Sequence, residues 1–199
     1  MVHIKGVRCM ANLLRTEKIL NLIETSCNFF TELGFHNTGV NTIANESDVS
    51  KMTLYKYFPK KEKLITTCLI FKSEKLKVQV MSAAHLSTDI SVIDQLKQVF
   101  FLHADIKSDY FLLFKGIFEI KNEYPEAYTT ITDYRKWLVH EIHKMIRSYN
   151  STTTLQDANL LLFIIDGALT QLISKLEVDQ REALFDYFLS MICEPVQEY

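Results

Sequence analysis

The chain has 199 residues, of which 48% are hydrophobic and 23% charged, enough apolar material for one large domain or two small ones. With only 5 Gly and 3 Pro it lacks the turn residues that a β-rich fold consumes, so long helices are expected. The net charge of −2 is unevenly spread: residues 1–85 hold 12 Lys/Arg against 7 Asp/Glu, and residues 86–199 hold 10 against 17, so a polyanionic partner is expected to meet only the front of the chain.

The four cysteines, Cys9, Cys27, Cys68 and Cys193, include no C-x-x-C pair. Cys27 and Cys68 fall in apolar helical patterns, where a reduced thiol behaves as a small hydrophobe, which fits a reducing cytoplasm. Residues 1–14 lack the continuous apolar stretch and small-residue cleavage site of a signal peptide. The longest apolar run, Leu160 to Ile165, is far shorter than a bilayer span. A cytoplasmic protein with no membrane partner is expected.

In chain order, residues 1–14 read as a loose arm carrying Lys5 and Arg8. From Thr16, the residues Ile19, Leu20, Ile23, Cys27 and Phe30 recur at helical spacing, and Gly34 suits the left-handed residue that ends a helix. A short helix follows from Val40 to about Ser47, with Val40, Ile43 and Ala44 inward. After a tight turn at Asp48-Val49, Ser50 can cap a third helix over Lys51 to Tyr57. Pro59 restrains Phe58 and stops it.

A long helix runs from near Lys60 toward Ala84, and the polar stretch His85 to Ser91 breaks it. Further helices are expected over 91–106, 109–122, 125–148, 155–175 and 180–193. Pro125 suits a first helical position, and Asp179 with Glu182 resembles a capping box. The polar stretch Ser148 to Thr154 reads as a mobile loop.

The stretch Gly34 to Leu64 carries the chemistry. Ile43, Ala44, Val49, Leu54 and Phe58 are spaced to form a small core, which turns Lys51, Met52, Thr53, Lys56 and Tyr57 outward. A short helix of this kind fits the major groove of duplex DNA. Lys51 can donate to guanine, Thr53 can bond a base or touch a thymine methyl, and Met52 offers apolar contact. Tyr55 and Tyr57 carry hydroxyls suited to phosphate oxygens. Lys61 stands at a helix start, where cation and dipole together attract phosphate.

These residues resemble the DNA-binding domain of tetracycline-repressor-type (TetR family) regulators. The match lies in Phe29-Phe30 with Glu32-Leu33-Gly34-Phe35, then Val40, Ile43-Ala44, Val49-Ser50, Thr53-Leu54-Tyr55, Tyr57-Phe58, Lys61-Glu62 and Leu64, covering residues 15–64. The resemblance implies that Lys51, Met52, Thr53 and Lys56 face bases or nearby phosphates. It implies that Tyr55, Tyr57 and Lys61 hold the backbone, with Val40 and Asn41 close by. Two positions depart from the family pattern: Asp48 stands where Gly is common in the turn, and Met52 where a small residue is common, so no operator sequence carries over.

The fold expected is all-α: an N-terminal three-helix helix-turn-helix domain (1–62) joined to a C-terminal helical ligand-binding and dimerisation domain (63–199). The helix over 155–175 is apolar on more than one face, through Leu160, Leu161, Ile164, Ile165, Ala168, Leu169 and Leu172. It must be buried on two sides, either within a monomer or against a second copy. Gly167-Ala168 would allow close approach, and Leu184, Phe185, Phe188, Leu189 and Ile192 would supply the partner helix. The resemblance implies a homodimer through the last two long helices, reading a palindromic operator.

The middle helices are rich in aromatics. The resemblance implies a small-molecule pocket there, whose occupation changes the spacing of the two DNA-reading heads through the long helix. Phe71, His103, Phe114, Phe118, Trp137 and Asp166 are the expected lining, and the effector is small and hydrophobic. His140 and His143 lie three apart on one helix, but no further ligand completes a metal set, and no metal or cofactor is expected. No nucleophile motif, Walker loop or dinucleotide fingerprint is present, so no enzymatic activity is expected. The function expected is a transcription regulator, a repressor by resemblance. The alternatives are a DNA-binding regulator with no effector and a helical enzyme acting on a hydrophobic small molecule.

Overall fold

The computed structural model describes residues 17–85, 90–174 and 179–193, and every regular element among them is an α-helix. The expected N-terminal arm with Lys5, Arg8 and Cys9, and the side chain of Cys193, lie outside the described residues. The helices are α1 (Glu17–Leu33), α2 (Val40–Glu46), α3 (Lys51–Tyr57), α4 (Lys61–His85), α5 (Val92–His103), α6 (Asp109–Glu119), α7 (Pro125–Tyr149), α8 (Leu155–Ile173) and α9 (Arg181–Cys193). Their bounds follow the periodicity closely, because Gly34, Ser50, Pro59 and Pro125 punctuate the sequence where helices begin and end.

The chain divides into two compact units, one running through Lys72 and taking in Leu112–Ile131, the other formed by Ser73–Phe111 and the residues from Thr132 onward. In the first unit α1 buries Ile19, Leu22, Ile23, Ser26, Cys27 and Phe30, one face at three- and four-residue spacing. Leu20, expected inward, is half-buried, and Leu22 takes its place. Gly34 ends the helix at φ +86°, and Phe30 stacks on Phe35 with ring centroids 5.2 Å apart. Six consecutive residues of α4, Leu64 to Leu69, are buried. This stretch is therefore covered all round, and the Thr66 and Thr67 hydroxyls are satisfied by donating to the Glu62 and Lys63 carbonyls, both at 2.8 Å. Gly116 permits a close approach: a Cβ there would collide with Ile131 Cδ1.

The second unit is built on Phe100, Tyr110, Tyr134, Leu138, Ile142, Ile146, Leu161, Ile165, Leu169, Phe185 and Phe188, all at most 1% exposed. Phe100 meets Phe185 at 5.2 Å. On α8 the inward face is Ala158, Leu161, Leu162, Ile165, Ala168 and Leu169. Leu160 and Phe163 are exposed, Phe163 by 64%, and nothing lies within 4 Å of where a Gly167 Cβ would be. On α9, Phe185, Phe188 and Ile192 are buried while Tyr187 and Met191 face out.

Two local expectations change. The connection after α7 is organised by Asn150, whose amide donates to the Ile192 carbonyl at 2.9 Å and whose Oδ1 accepts from the Thr152 backbone and hydroxyl. Asp179 and Glu182 form no capping box. Asp179 accepts from the Arg181 backbone N–H at 3.0 Å and grips the Arg181 guanidinium, and Glu182 pairs with Lys97 at 3.3 Å. At α8 the acid in the first turn does reach back to the cap: the Thr154 N–H and hydroxyl both donate to Asp157 Oδ2, at 2.7 and 2.9 Å.

Candidate nucleic-acid interface

The first unit carries two short helices around a tight turn. The Val49 N–H donates to the Ala44 carbonyl at 3.0 Å and the Ser47 N–H to the Ile43 carbonyl at 3.0 Å. This closure needs a left-handed residue, and Asp48 supplies it at φ +52°, a conformation that Asp tolerates better than most residues. Ser50 caps α3: its Oγ accepts the Thr53 N–H at 3.1 Å and lies 2.8 Å from the Thr53 hydroxyl. The α3 chain closes with the Phe58 N–H on the Leu54 carbonyl at 2.8 Å.

Ile43, Ala44, Val49, Leu54 and Phe58 are buried. With Leu54 inward, the opposite face of α3 is presented to solvent: Lys51, Met52, Tyr55 and Lys56 are exposed, Met52 by 83% and Tyr55 by 47%. Thr53 and Tyr57 are half-buried at the margins of that face. At the start of α2, Asn41 is exposed and Val40 half-buried. The arrangement is one apolar knob surrounded by donors, with two cations on a seven-residue helix.

Lys61 is more committed than its position in sequence implies. Its Nζ donates to the His36 carbonyl at 3.3 Å. Burial pulls its ammonium below the usual lysine range, and the Glu123 carboxylate offsets part of that. Lys60, which reasoning from the sequence passed over, is exposed beside it. The paired Lys60-Lys61 was the available signal.

Of the expected effector-binding residues, His103, Trp137 and Asp166 belong to the second unit and are linked through two tyrosines. His103 Nδ1 is 2.7 Å from the Val99 carbonyl and its Nε2 is 2.6 Å from the Tyr134 hydroxyl. Tyr134 lies against Trp137 at 5.7 Å, and Lys77 stands over the Trp137 ring. Asp166 holds Arg135 in a bidentate pair at 2.9 and 2.6 Å and accepts from the Tyr110 hydroxyl at 3.1 Å; the Arg135 guanidinium also donates to that hydroxyl. Burial, and next the Asp166 charge, push the Tyr110 hydroxyl well above its ordinary range.

Tyr110, Tyr134 and Arg135 were not among the expected ligand contacts, and nothing in their spacing announces that they meet Asp166 and His103. Phe71, Phe114 and Phe118 belong to the first unit. Phe71 is half-buried and Phe114 buried, but Phe118 is 73% exposed and meets Phe114 edge-on. A surface depression of about 430 Å³ in the second unit is lined by Ile90, Asp94, Lys97, Gln98 and Phe101, none of them expected lining. His140 and His143 bond the Lys136 and Thr153 carbonyls at 2.7 and 3.4 Å.

Residues 22–68, which contain α2, the turn and α3, match the family model of bacterial regulatory proteins, tetR family. Over that segment, about a quarter of the chain, it is similar to tetR-family regulators. A curated relative, the uncharacterized HTH-type transcriptional regulator YuxN of Bacillus subtilis, is 35% identical over 66 residues, a stretch that covers 33% of this chain and 23% of that protein. Among solved structures, the reduced form of E. coli NemR superposes with a TM-score of 0.77 at 16% identity, covering 91% of this chain and 100% of that one. SCO4454, a TetR-family transcriptional regulator from Streptomyces coelicolor, gives 0.74 at 20% identity over 89% and 87%. A regulator from Saccharomonospora viridis in complex with choline gives 0.74 at 17% identity over 90% and 97%. At these identities the structures establish the shared all-helical fold, and the similarity to the family model rests on the N-terminal residues. Among the described residues, no helix is long and apolar enough to cross a membrane.

Proposed function

We propose that this chain is a cytoplasmic, homodimeric transcription regulator of the tetR type, not an enzyme, that reads a palindromic operator with α3 and is a repressor released by a small apolar ligand. The observation that carries the reading is the solvent-facing set Lys51, Met52, Tyr55 and Lys56 on a capped helix whose opposite side is packed by Leu54. Phosphate contacts fix a duplex and base contacts choose it. Lys51, Met52, Thr53 and Lys56 take the base-side role. Tyr55, Tyr57, Lys60, Lys61, Val40 and Asn41 take the backbone. Residues 1–62 form the DNA-reading part and residues 63–199 the part that dimerises and binds effector.

The dimer reading is supported by the outward faces of α8 and α9, where Leu160, Phe163, Tyr187 and Met191 are exposed around the open Gly167. Exposed apolar side chains on two helices that pack against each other are most simply covered by a second copy, giving a twofold four-helix contact. Leu184, half-buried, stands beside it, while Phe185 and Phe188 serve the subunit's own core. Two α3 helices related by the twofold would read two half-sites.

For the effector, His103, Trp137 and Asp166 with Tyr110, Tyr134 and Arg135 form the polar and aromatic group around which we place the ligand. Phe71, Phe114 and Phe118 lie in the first unit and stand outside this group. The choline-bound relative supports a ligand-responsive regulator over one without effector. Selection of bound sequences from a random duplex pool tests the reading: enrichment of an inverted repeat supports it, and a pool left unenriched at low salt sinks it.

A further inference from the structure

The end of α6 and the corner that follows hold the connection between α1 and α2, all within the first unit. Glu119 Oε2 accepts the Phe35 backbone N–H at 2.7 Å, in space that a Cβ on Gly34 would enter, 2.8 Å from that oxygen. Lys115 Nζ donates to the Thr31 carbonyl at 2.7 Å and lies 3.9 Å from Glu119 Oε1. His36 bridges the remaining gap. Its Nε2 is 2.6 Å from the Glu119 carbonyl oxygen and its Nδ1 is 2.9 Å from Glu123 Oε2, with the Tyr124 ring stacked 6.3 Å away.

Both partners of the His36 ring, a carbonyl and a carboxylate, only accept hydrogen bonds. A neutral imidazole has one N–H and one lone pair and satisfies one of them; the imidazolium donates to both. We propose that His36 is a proton-dependent positioning residue, whose imidazolium form fastens the α1–α2 connection to the 119–124 corner and so fixes the start of α2 against DNA. The inference rests on the reading of α2 and α3 as the DNA-contacting elements. The groups that face the ring are the Glu123 carboxylate and the Glu119 carbonyl, and Lys115 pairs with the Glu119 side chain. From α4, Lys61 donates to the His36 carbonyl at 3.3 Å, and Glu62 accepts the Glu126 N–H at 3.2 Å.

The test uses the full-length chain, labelled for NMR, from about pH 5.5 to pH 8, the interval in which histidine charge changes matter. In the wild type the Phe35 amide is expected to shift with the His36 ring, and in His36→Gln that shift disappears. Affinity for a selected duplex falls about threefold across the interval, the scale of one exposed ion pair, and the dependence vanishes in His36→Gln. Thr53→Ala weakens binding at every pH and keeps the dependence. A Phe35 amide that ignores the His36 titration, or a pH dependence of operator affinity that survives His36→Gln, overturns the proposal. Coupling of Phe35 to His36 in a protein that binds no duplex supports the latch and counts against the DNA-binding reading instead.

Discussion

Tyr134 donates its hydroxyl to His103 Nε2 at 2.6 Å, and the tautomer is fixed by the other side of the ring: the Val99 carbonyl, 2.7 Å from Nδ1, can only accept. His103 is fully buried, and burial pushes its pKa down to about 4, with the Val99 hydrogen bond raising it in part. An unfolded chain has an ordinary histidine near 6.5 and takes up the proton first. The native state therefore keeps its full margin above about pH 6.5 and loses it as pH falls toward 4, by about 3 kcal/mol at most from this group. Urea melts between pH 4.5 and pH 7.5 are expected to show this slope in the wild type and a weaker one in His103→Gln. Tyr134→Phe leaves Nε2 without its donor and costs about 1–3 kcal/mol at pH 7.

Gly116 is a packing residue. A methyl group there would strike Ile131 Cδ1, with Phe35 Cε2 a further 3.6 Å neighbour. Gly116→Ala is expected to cost about 1–3 kcal/mol through overpacking, read as a lowered Tm. Gly167→Ala, which meets nothing within 4 Å in the monomer, leaves monomer stability unchanged or slightly raised, since a helical Ala is favoured over Gly by about 1 kcal/mol.

The turn before α3 and the cap of α3 follow from two residues. Asp48 sits at φ +52°, so Asp48→Gly is tolerated and Asp48→Val costs about 1–2 kcal/mol. Ser50→Ala removes the acceptor for the Thr53 N–H and costs about 1 kcal/mol. Thermal melts of the three variants check the order: Asp48→Gly highest, Asp48→Val lowest or equal to Ser50→Ala.

Much of this was legible in the sequence because local rules and long-range packing agree there. Gly34, Asp48, Ser50 and Pro125 each impose one backbone geometry, and the Ile43, Ala44, Val49, Leu54, Phe58 spacing leaves one way to bury a small core. The second unit was less legible. Arg135 and Asp166 are thirty-one positions apart, and no periodicity announces that they meet. Asp179 and Glu182 matched a capping pattern, but the Arg181 guanidinium competes for Asp179 and Lys97 draws Glu182 away. Lys61 read as a free cation, and its tie to the His36 carbonyl depends on a connection whose path the sequence does not specify.

The proposed dimer makes a separate prediction. Phe163 on α8 and Tyr187 on α9 are 64% and 65% exposed. Phe163→Glu places charge in the twofold contact and is expected to give a folded monomer by sedimentation, with operator binding weakened by an order of magnitude or more because one head reads half a site. A wild-type chain that sediments as a monomer at micromolar concentration rejects this arrangement.

The most direct test of the whole account is duplex binding by the α3 face. With a duplex taken from pool selection, Met52→Ala and Lys51→Ala are each expected to weaken binding by about 1–3 kcal/mol and relax base preference at the touched position. Lys60→Ala should instead weaken binding uniformly and reduce the salt slope by about one. Circular dichroism should be unchanged in all three. Equal affinity of wild type and the Lys51, Met52, Tyr55 triple-alanine variant for that duplex would contradict the account, because those side chains would then face solvent and nothing else.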